Sequence, residues 1–429
     1  MKEPERVEVC VIGGGPSGMM AAGRAAECGA RVILLEQNRD LGRKLLISGG
    51  GRCNVTNAEF RRHALVEKYG ERSDQLHSLF ARFGPAEMIR FLAERGLGTV
   101  VEEDNRVFPE THRAASVLEV LVGYMQSGGV EVRLGEQVRG LAADGALRRV
   151  TEVRTKSSTL YPDRVVLASG GLSRPETGST GDGLRWLAAI GHTVRYPEPS
   201  LVPVRVAEDW VRRLQGLSFQ DVRLSALPAG SAAEGAERRH KGASERGKLL
   251  FTHFGLSGPL VLNLSTKLLD LSREAGDASD RLRLTIDLFP TQDHGALDAQ
   301  IRDGILEAPN KKIRNSLPAS LPSRLVPLLL ELCAIDPELP AHSLRKESRK
   351  AIVALAKAIP LTFVGLLGTD KAVVTSGGVS LDEVDFRTMR SRLYDNLAIT
   401  GDLLDFERRS GGYSLQICWS SGWVAGSTE

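Results

Sequence analysis

The sequence predicts an α/β fold interrupted by a β-rich and a helical insertion, and three observations carry this. Residues 7–36 run through an apolar stretch, a glycine cluster, a helix-forming stretch and a second apolar stretch. From about Pro197 the texture changes to short strand-like runs, then to helical periodicity over 293–360. Glycine-rich strand ends return near the carboxyl terminus, so both chain ends are expected to build one domain around the insertion.

In the first element, Val7 to Ile12 is a β-branched run suited to a buried parallel strand. Gly13, Gly15 and Gly18 follow in G-x-G-x-x-G spacing around Pro16 and Ser17, and "MMAAGRAAECG" continues as a helix closing at Gly29. "RVILLE" is a second buried strand ending at Glu36, with Gln37 beyond it. Each part has a physical role: Gly13 permits the tight turn, Gly15 lets a pyrophosphate reach the helix N-terminus, and Gly18 lets helix and strand pack closely. Glu36 stands at the spacing of a ribose-binding acid, where its charge would repel a 2′-phosphate. A dinucleotide is expected here, and this fingerprint alone does not separate FAD from NAD.

Residues 60–98 carry apolar residues at helical spacing. "GVEVRLGEQVRGL", "RRVTEVRTKS" and "TLYPDRVVLASGG" read as three strands. The last ends at Ala168-Ser169-Gly170, where backbone can approach a dinucleotide. A polar loop then leads to a helix starting near Asp182. "SLVPVRVAEDW", "SFQDVRLSALPAG", "GKLLFTHFGLSGPLVLNLS" and "LRLTIDLFP" read as strands of a β subdomain over 196–292, with 361–380 as a candidate completion. Residues 293–360 form a helical subdomain, which leaves 1–195 and 366–429 for the dinucleotide domain. In the tail, Leu397 to Thr400 is a short strand stopping at Gly401-Asp402, and Gly411-Gly412-Tyr413 precede an apolar helix from near Ser414. The N–H groups of such a helix start suit the electron-rich edge of a flavin, and this second feature favours FAD over NAD as the held cofactor.

Composition narrows the class. Hydrophobic residues at 42% and charged residues at 25% are those of a soluble globular protein, while 45 glycines, clustered rather than periodic, point to loops that approach a ligand. Lys and Arg (56) nearly balance Asp and Glu (53), which argues against gripping nucleic acid as the main task. The basic run 237–248 lacks interleaved aromatics and reads as a solvated hairpin loop. Five scattered cysteines (Cys10, Cys28, Cys53, Cys333, Cys418) contain no CxxC pair, and His63, His77 and His112 lack ligand spacing, so neither disulfides nor a metal are expected. With no long apolar run, the expectation is a cytoplasmic protein without a membrane partner.

Six blocks together carry a resemblance: "GGGPSGMMAA", "GRKLLISGGGRCNVTN", "ASGGLSRPETGSTGDG", "FTHFGLSGPLVLNLS", "VTSGGVSLDEVD" and "GDLLD" with "GGYSLQICWSSGWVAG". The chain resembles the BaiN-like (YhiN-type) FAD/NAD(P)-dependent oxidoreductases, some of which are labelled aminoacetone oxidases. The resemblance implies a Rossmann-like FAD domain of the GR2, two-dinucleotide-binding-domain type, interrupted by a β-barrel-like and a helical subdomain. It implies that Arg43, Lys44 and the loop Ser48, Gly49, Gly50, Gly51, Arg52, Cys53 and Asn54 run along non-covalently bound FAD. Val138 would lie by the adenine, Gly170 near the adenosine, Asp402 at the ribityl or pyrophosphate region, and Gly412, Tyr413 and Leu415 at the flavin ring. "GDLLD" and "GGYSLQ" replace the more frequent "GEVLD" and "GGYNLQ", and both keep an acid or a small polar group.

The catalytic candidates each carry two readings. Cys53 is either a thiol activated beside a flavin or a small residue shaping its loop. His253 is the best acid/base candidate, and a histidine satisfied at a strand end is the alternative. Tyr413 either donates a phenolic proton or packs at a helix entry. Arg174 and Thr177 either orient a substrate or sit in a solvated loop. The leading function is a FAD-dependent oxidoreductase transferring hydride at flavin N5, with NAD(P)H as a transient co-substrate. Its small-molecule substrate would be an activated C=C bond to reduce or an amine to oxidise. An RNA-modifying or RNA-binding flavoprotein and a non-catalytic flavin scaffold or sensor are the alternatives.

Overall fold

The structure is a computed structural model and describes residues 5–70, 73–228, 242–274, 282–318, 320–368 and 374–427. The chain divides into two compact units, Met1–Ser200 with Thr369–Glu429, and Leu201–Gly368.

In the first unit the β-branched run forms β1 (Glu5–Ile12), followed by α1 (Pro16–Glu27) and β2 (Val32–Glu36). Five strands lie parallel in the order Leu397–Ile399, Thr159–Leu167, β1, β2, Glu131–Leu134. Burial on both faces is why β1 and β2 read as continuous apolar runs. The register sets Ile12 opposite Leu167 and Leu167 opposite Ile399, so three distant segments leave the sheet side by side at their carboxyl ends. The helix Tyr413–Gly426 crosses α1 closely. A Cβ at Gly422 would stand 2.3 Å from the Ser17 carbonyl oxygen, and one at Gly426 2.5 Å from that of Ala21.

In the second unit six antiparallel strands close a barrel in the order Val204–Val206, Gly255–Ser257, Ala243–Phe251, Ser218–Pro228, Leu282–Asp287, Ile359–Leu366. The helix Pro259–Glu274 buries Leu260, Val261, Leu264 and Leu268 in the core of this unit. The helices His294–Glu307, Val326–Leu332 and Lys346–Lys357 share that core, and Asp293 caps the first by accepting from the Ala296 N–H at 2.7 Å.

Four expectations require correction. "PLVLNLS" is helix rather than strand. "GVEVRLGEQVRGL" breaks at Gly135 into two strands, Glu131–Leu134 and Val138–Asp144. Of the candidate completion 361–380, the part to Leu366 does close the barrel within strand Ile359–Leu366, whereas strand Val374–Val379 pairs with Val194–Ser200 in the first unit. In the basic run, residues 243–248 are ordinary barrel strand, where Arg246 grips Asp221 with two contacts of 2.7 Å, while 237–241 lie outside the described residues. A three-stranded antiparallel sheet of Thr56–Asn57, Arg106–Pro109 and Thr99–Glu102 was not anticipated.

Among the described residues no helix is long and apolar enough to cross a membrane.

Candidate functional site

The carboxyl ends of β1, Thr159–Leu167 and Leu397–Ile399 open onto one cleft of about 880 Å³, the space at its mouth included. Clefts at this end of a parallel sheet are where dinucleotides bind. The glycines of the first turn have three separate causes. A Cβ at Gly13 would sit 2.5 Å from the Ala168 carbonyl oxygen, and one at Gly18 would sit 1.9 Å from that of Gly13. A Cβ at Gly15 would meet nothing within 4 Å, because Gly15 faces the open cleft. Gly15 is also the N-cap of α1 and supplies no side-chain hydrogen bond, so the positive end of the helix is presented to the cleft.

Glu36 is buried at 8% exposure with its carboxylate in the cleft wall. It accepts from the Gly14 N–H at 2.7 Å, from the Asn38 N–H at 2.8 Å and from the Asn38 side-chain amide at 2.7 Å. The carboxylate therefore shapes the glycine turn as well as facing the cleft. Gln37 donates to the Gly178 carbonyl at 2.6 Å, and Arg43 donates to the Asn38 side-chain carbonyl at 2.9 Å. Lys44 donates to Ser173 Oγ at 2.9 Å and approaches Asp402 Oδ2 to 3.6 Å. Pro16, Ser17, Val138, Ala168, Ser169, Gly170, Gly401 and Asp402 line the same cleft.

FAD fits these residues. Asp402 Oδ1 and Ser169 Oγ are buried in the cleft wall without a hydrogen-bond partner among the described residues, and a bound dinucleotide's sugar hydroxyls are donors for such atoms. An uncapped helix N-terminus behind a glycine without a steric neighbour suits a pyrophosphate.

The loop Ser48–Asn54 and the segment Gly411–Leu415 lie outside that cleft lining and meet each other instead. Asn54 donates to the Thr56 carbonyl at 3.0 Å and accepts from the Gly412 N–H at 3.1 Å. A Cβ at Gly412 would be 2.4 Å from the Thr56 carbonyl oxygen, and Asn57 donates to the Gly411 carbonyl at 3.2 Å. The buried Tyr413 opens the C-terminal helix, its carbonyl accepting from the Tyr69 hydroxyl at 2.9 Å. Leu415 packs against the core.

Two residues of the loop make their protein contacts away from the cleft. Arg52 donates to Glu102 at 2.8 Å and stacks on Phe108 at 4.0 Å, so it buttresses the three-stranded sheet rather than the cleft. Cys53 is fully buried with φ of 61°, and burial pushes its thiol up to about 12, the reverse of activation. His253 belongs to the second unit, on the turn between Ala243–Phe251 and Gly255–Ser257, and packs edge-on against Phe254. Arg174 approaches Glu176 to 3.8 Å, and Thr177 lines the cleft.

Sequence reasoning missed Asn38, Ser179, Thr180, Asp182 and Cys418, which also line the cleft. Asn38 carried a signal, being a short amide two residues past the ribose-type acid. Cys418 carried none, since Ile417 and Trp419 on either side of it make the segment read as core.

Comparison with known proteins gives a match to the family described as "HI0933-like protein Rossmann domain" over residues 7–428. The chain is 31% identical over 420 residues to a "3-dehydro-bile acid delta(4,6)-reductase" of Clostridium scindens, covering 97% of each. It is 30% identical over 423 residues to a "ribosomal RNA dihydrouridine synthase" of Escherichia coli, covering 98% of this chain and 97% of that one. Among solved structures, a 3-ketosteroid-delta4-(5alpha)-dehydrogenase from Rhodococcus jostii matches with a TM-score of 0.50 at 15% identity, covering 100% of this chain and 97% of that one. At that identity the likeness speaks for the fold alone.

Proposed function

The chain belongs to the HI0933-like family and is a FAD-dependent oxidoreductase, and from that premise we propose that it reduces a C=C bond conjugated to a carbonyl, with NAD(P)H as electron donor. One observation carries this reading. Two relatives aligned over nearly the whole chain are named for saturating ring double bonds, one as a delta(4,6)-reductase and one as a dihydrouridine synthase. A 3-keto-Δ4 ring and a uracil ring share one electronic feature, an alkene polarised by a carbonyl.

Bound FAD supplies a two-electron hydride donor or acceptor. Gly13, Gly15, Pro16, Ser17 and Gly18 would hold its pyrophosphate at the start of α1, and Glu36 its adenosine ribose. Lys44, Ser169, Gly401 and Asp402 would hold the remaining sugar and phosphate groups, and Val138 and Gly170 the adenosine. The Ser48–Asn54 loop and Gly411–Leu415 would border the ring. In the substrate, the β-carbon gains the hydride and the α-carbon a proton. Tyr413, in the same unit as the cleft, is the proposed proton source.

Anaerobic mixing of the FAD-loaded protein with NADH and with NADPH should bleach the flavin. Adding an α,β-unsaturated ketone or uridine should then restore its colour. If neither nicotinamide bleaches the flavin, the donor assignment fails. If oxygen or an amine turns over the flavin and the alkenes do not, an amine oxidase reading replaces this one. The second relative also favours a uridine carried in RNA as substrate. Retention of an RNA fragment at moderate salt would support that version, and free passage would remove it.

A further inference from the structure

A shallow trough on the barrel unit is lined by Arg205, Val206, Arg212, His253, Phe254 and Val364. Its floor comes from sheet register. Arg205 lies opposite Gly255 on one side and opposite Gly365 on the other, so both cross-strand neighbours lack side chains. Gly255 has a reason of its own, since a Cβ there would stand 2.2 Å from the Val204 carbonyl oxygen. Gly365 leaves room, for a Cβ there would come no nearer than 4.0 Å to the Arg205 guanidinium.

The charges in this trough are one-sided. Among the described residues neither the Arg205 nor the Arg212 guanidinium has a hydrogen-bond or ion-pair partner. Arg213, next in the chain, behaves in the ordinary way and pairs with Glu331 at 2.7 Å. No acidic side chain lines the trough, and Glu208 is committed elsewhere, its two oxygens accepting from the Thr362 N–H at 2.9 and 3.0 Å. Two guanidiniums in one concavity repel each other unless an anion joins them, and their forked donors match an oxyanion. Phe254 and Val364, the latter 44% exposed, supply an apolar wall beside the charge.

We propose that this trough binds an oxyanion, a phosphate or a carboxylate, held by Arg205 and Arg212 while Phe254 and Val364 pack against the apolar body of the ligand. The site lies wholly within the barrel unit and is independent of the alkene chemistry proposed above.

Calorimetric titration of the FAD-loaded protein with two matched pairs of probes isolates the anion. One pair is uridine 5′-monophosphate against uridine, and the other is cholate against its methyl ester. The charged member of at least one pair is expected to bind about tenfold tighter, a difference of about 1.4 kcal/mol. The pair that discriminates tells phosphate from carboxylate. The double variant R205Q/R212Q, with unchanged FAD content and circular dichroism, is expected to lose the preference. If it does not fold, R205Q and R212Q are read singly in the same way. Equal binding of charged and neutral members in both pairs, or a preference that survives the variants, overturns the proposal. Turnover is not read, so failure of the alkene-reductase reading would leave this result standing, and the reverse also holds.

Discussion

The chain carries two glycine triplets, Gly13–Gly15 and Gly49–Gly51, and the same residues solve different problems in each. In the first the need is chiefly space, although Gly13 also has φ of 109°. Gly13 and Gly14 have protein atoms where a Cβ would go, and Gly15 has an open cleft there. In the second the need is chiefly conformation, although a Cβ at Gly49 would also stand 2.7 Å from the Asn54 backbone N. Gly49, Gly50 and Gly51 have φ of 57°, 69° and 86°, and a Cβ at Gly50 would meet nothing within 4 Å. A glycine run is thus not one signal. Its meaning depends on whether side-chain volume or backbone handedness is being excluded.

Substitutions can break or sharpen this contrast. The largest effect is expected at Gly18, where the Cβ of alanine would be driven into the Gly13 carbonyl. Gly18→Ala should cost about 3 kcal/mol and strip FAD, read as a fall in melting temperature and a colourless protein. An unchanged melting temperature would show that the close contact between α1 and the turn is absent. Glu36→Ala comes next, since it leaves the Gly14 and Asn38 N–H groups without their acceptor. A loss of about 2 kcal/mol is expected in urea unfolding, with recovery of part of it in Glu36→Gln.

Gly15→Ala should fold as the parent does and bind FAD on the order of tenfold more weakly, because the methyl group projects only into the cleft. Gly50→Ala should do the opposite, losing about 1 kcal/mol to left-handed strain while keeping its flavin. Equal flavin loss in both variants would mean that the loop Ser48–Asn54 presses on the ring as closely as the first turn does on the pyrophosphate. The smallest effect concerns Cys53. With its thiol pushed up to about 12 by burial, Cys53 stays protonated at neutral and mildly alkaline pH. Iodoacetamide at pH 8 should therefore modify the exposed Cys28 and spare Cys53 in the native protein. Rapid alkylation of Cys53 would restore the activated-thiol reading.

What could be read in advance was whatever is local. The first βαβ unit, its glycine spacing and Glu36 depend on one continuous stretch, so their periodicity was visible without a partner. "PLVLNLS" misled because its alternation imitates a strand over seven residues. The helical period emerges only when Leu264 and Leu268 are counted with Leu260 and Val261, and Pro259 at the helix start was the overlooked sign. The short sheet at residues 56–109 was hidden for another reason. Its strands are two to four residues long, and Thr99–Glu102 is not buried on either face, so no alternation survives in the sequence. The Arg205 trough depends on register between segments 50 and 160 residues apart, and no local pattern encodes that.

The parallel register of Thr159–Leu167 against Leu397–Ile399 has a consequence for how the protein is made. Roughly 230 residues (397 − 167) separate the two strand ends, and the whole barrel unit is encoded between them. At ribosomal rates of about 5–20 residues per second, the nascent sheet stands with Val165–Leu167 as an unpaired, apolar edge for about 10–50 s, the start of that strand being covered by Arg149–Thr155. The cofactor turn is synthesised first, yet the Gly401–Asp402 wall of the cleft arrives last. The cleft is therefore completed only at the end of translation, and in that interval the open edge is the point where a chaperone or a neighbouring chain would engage.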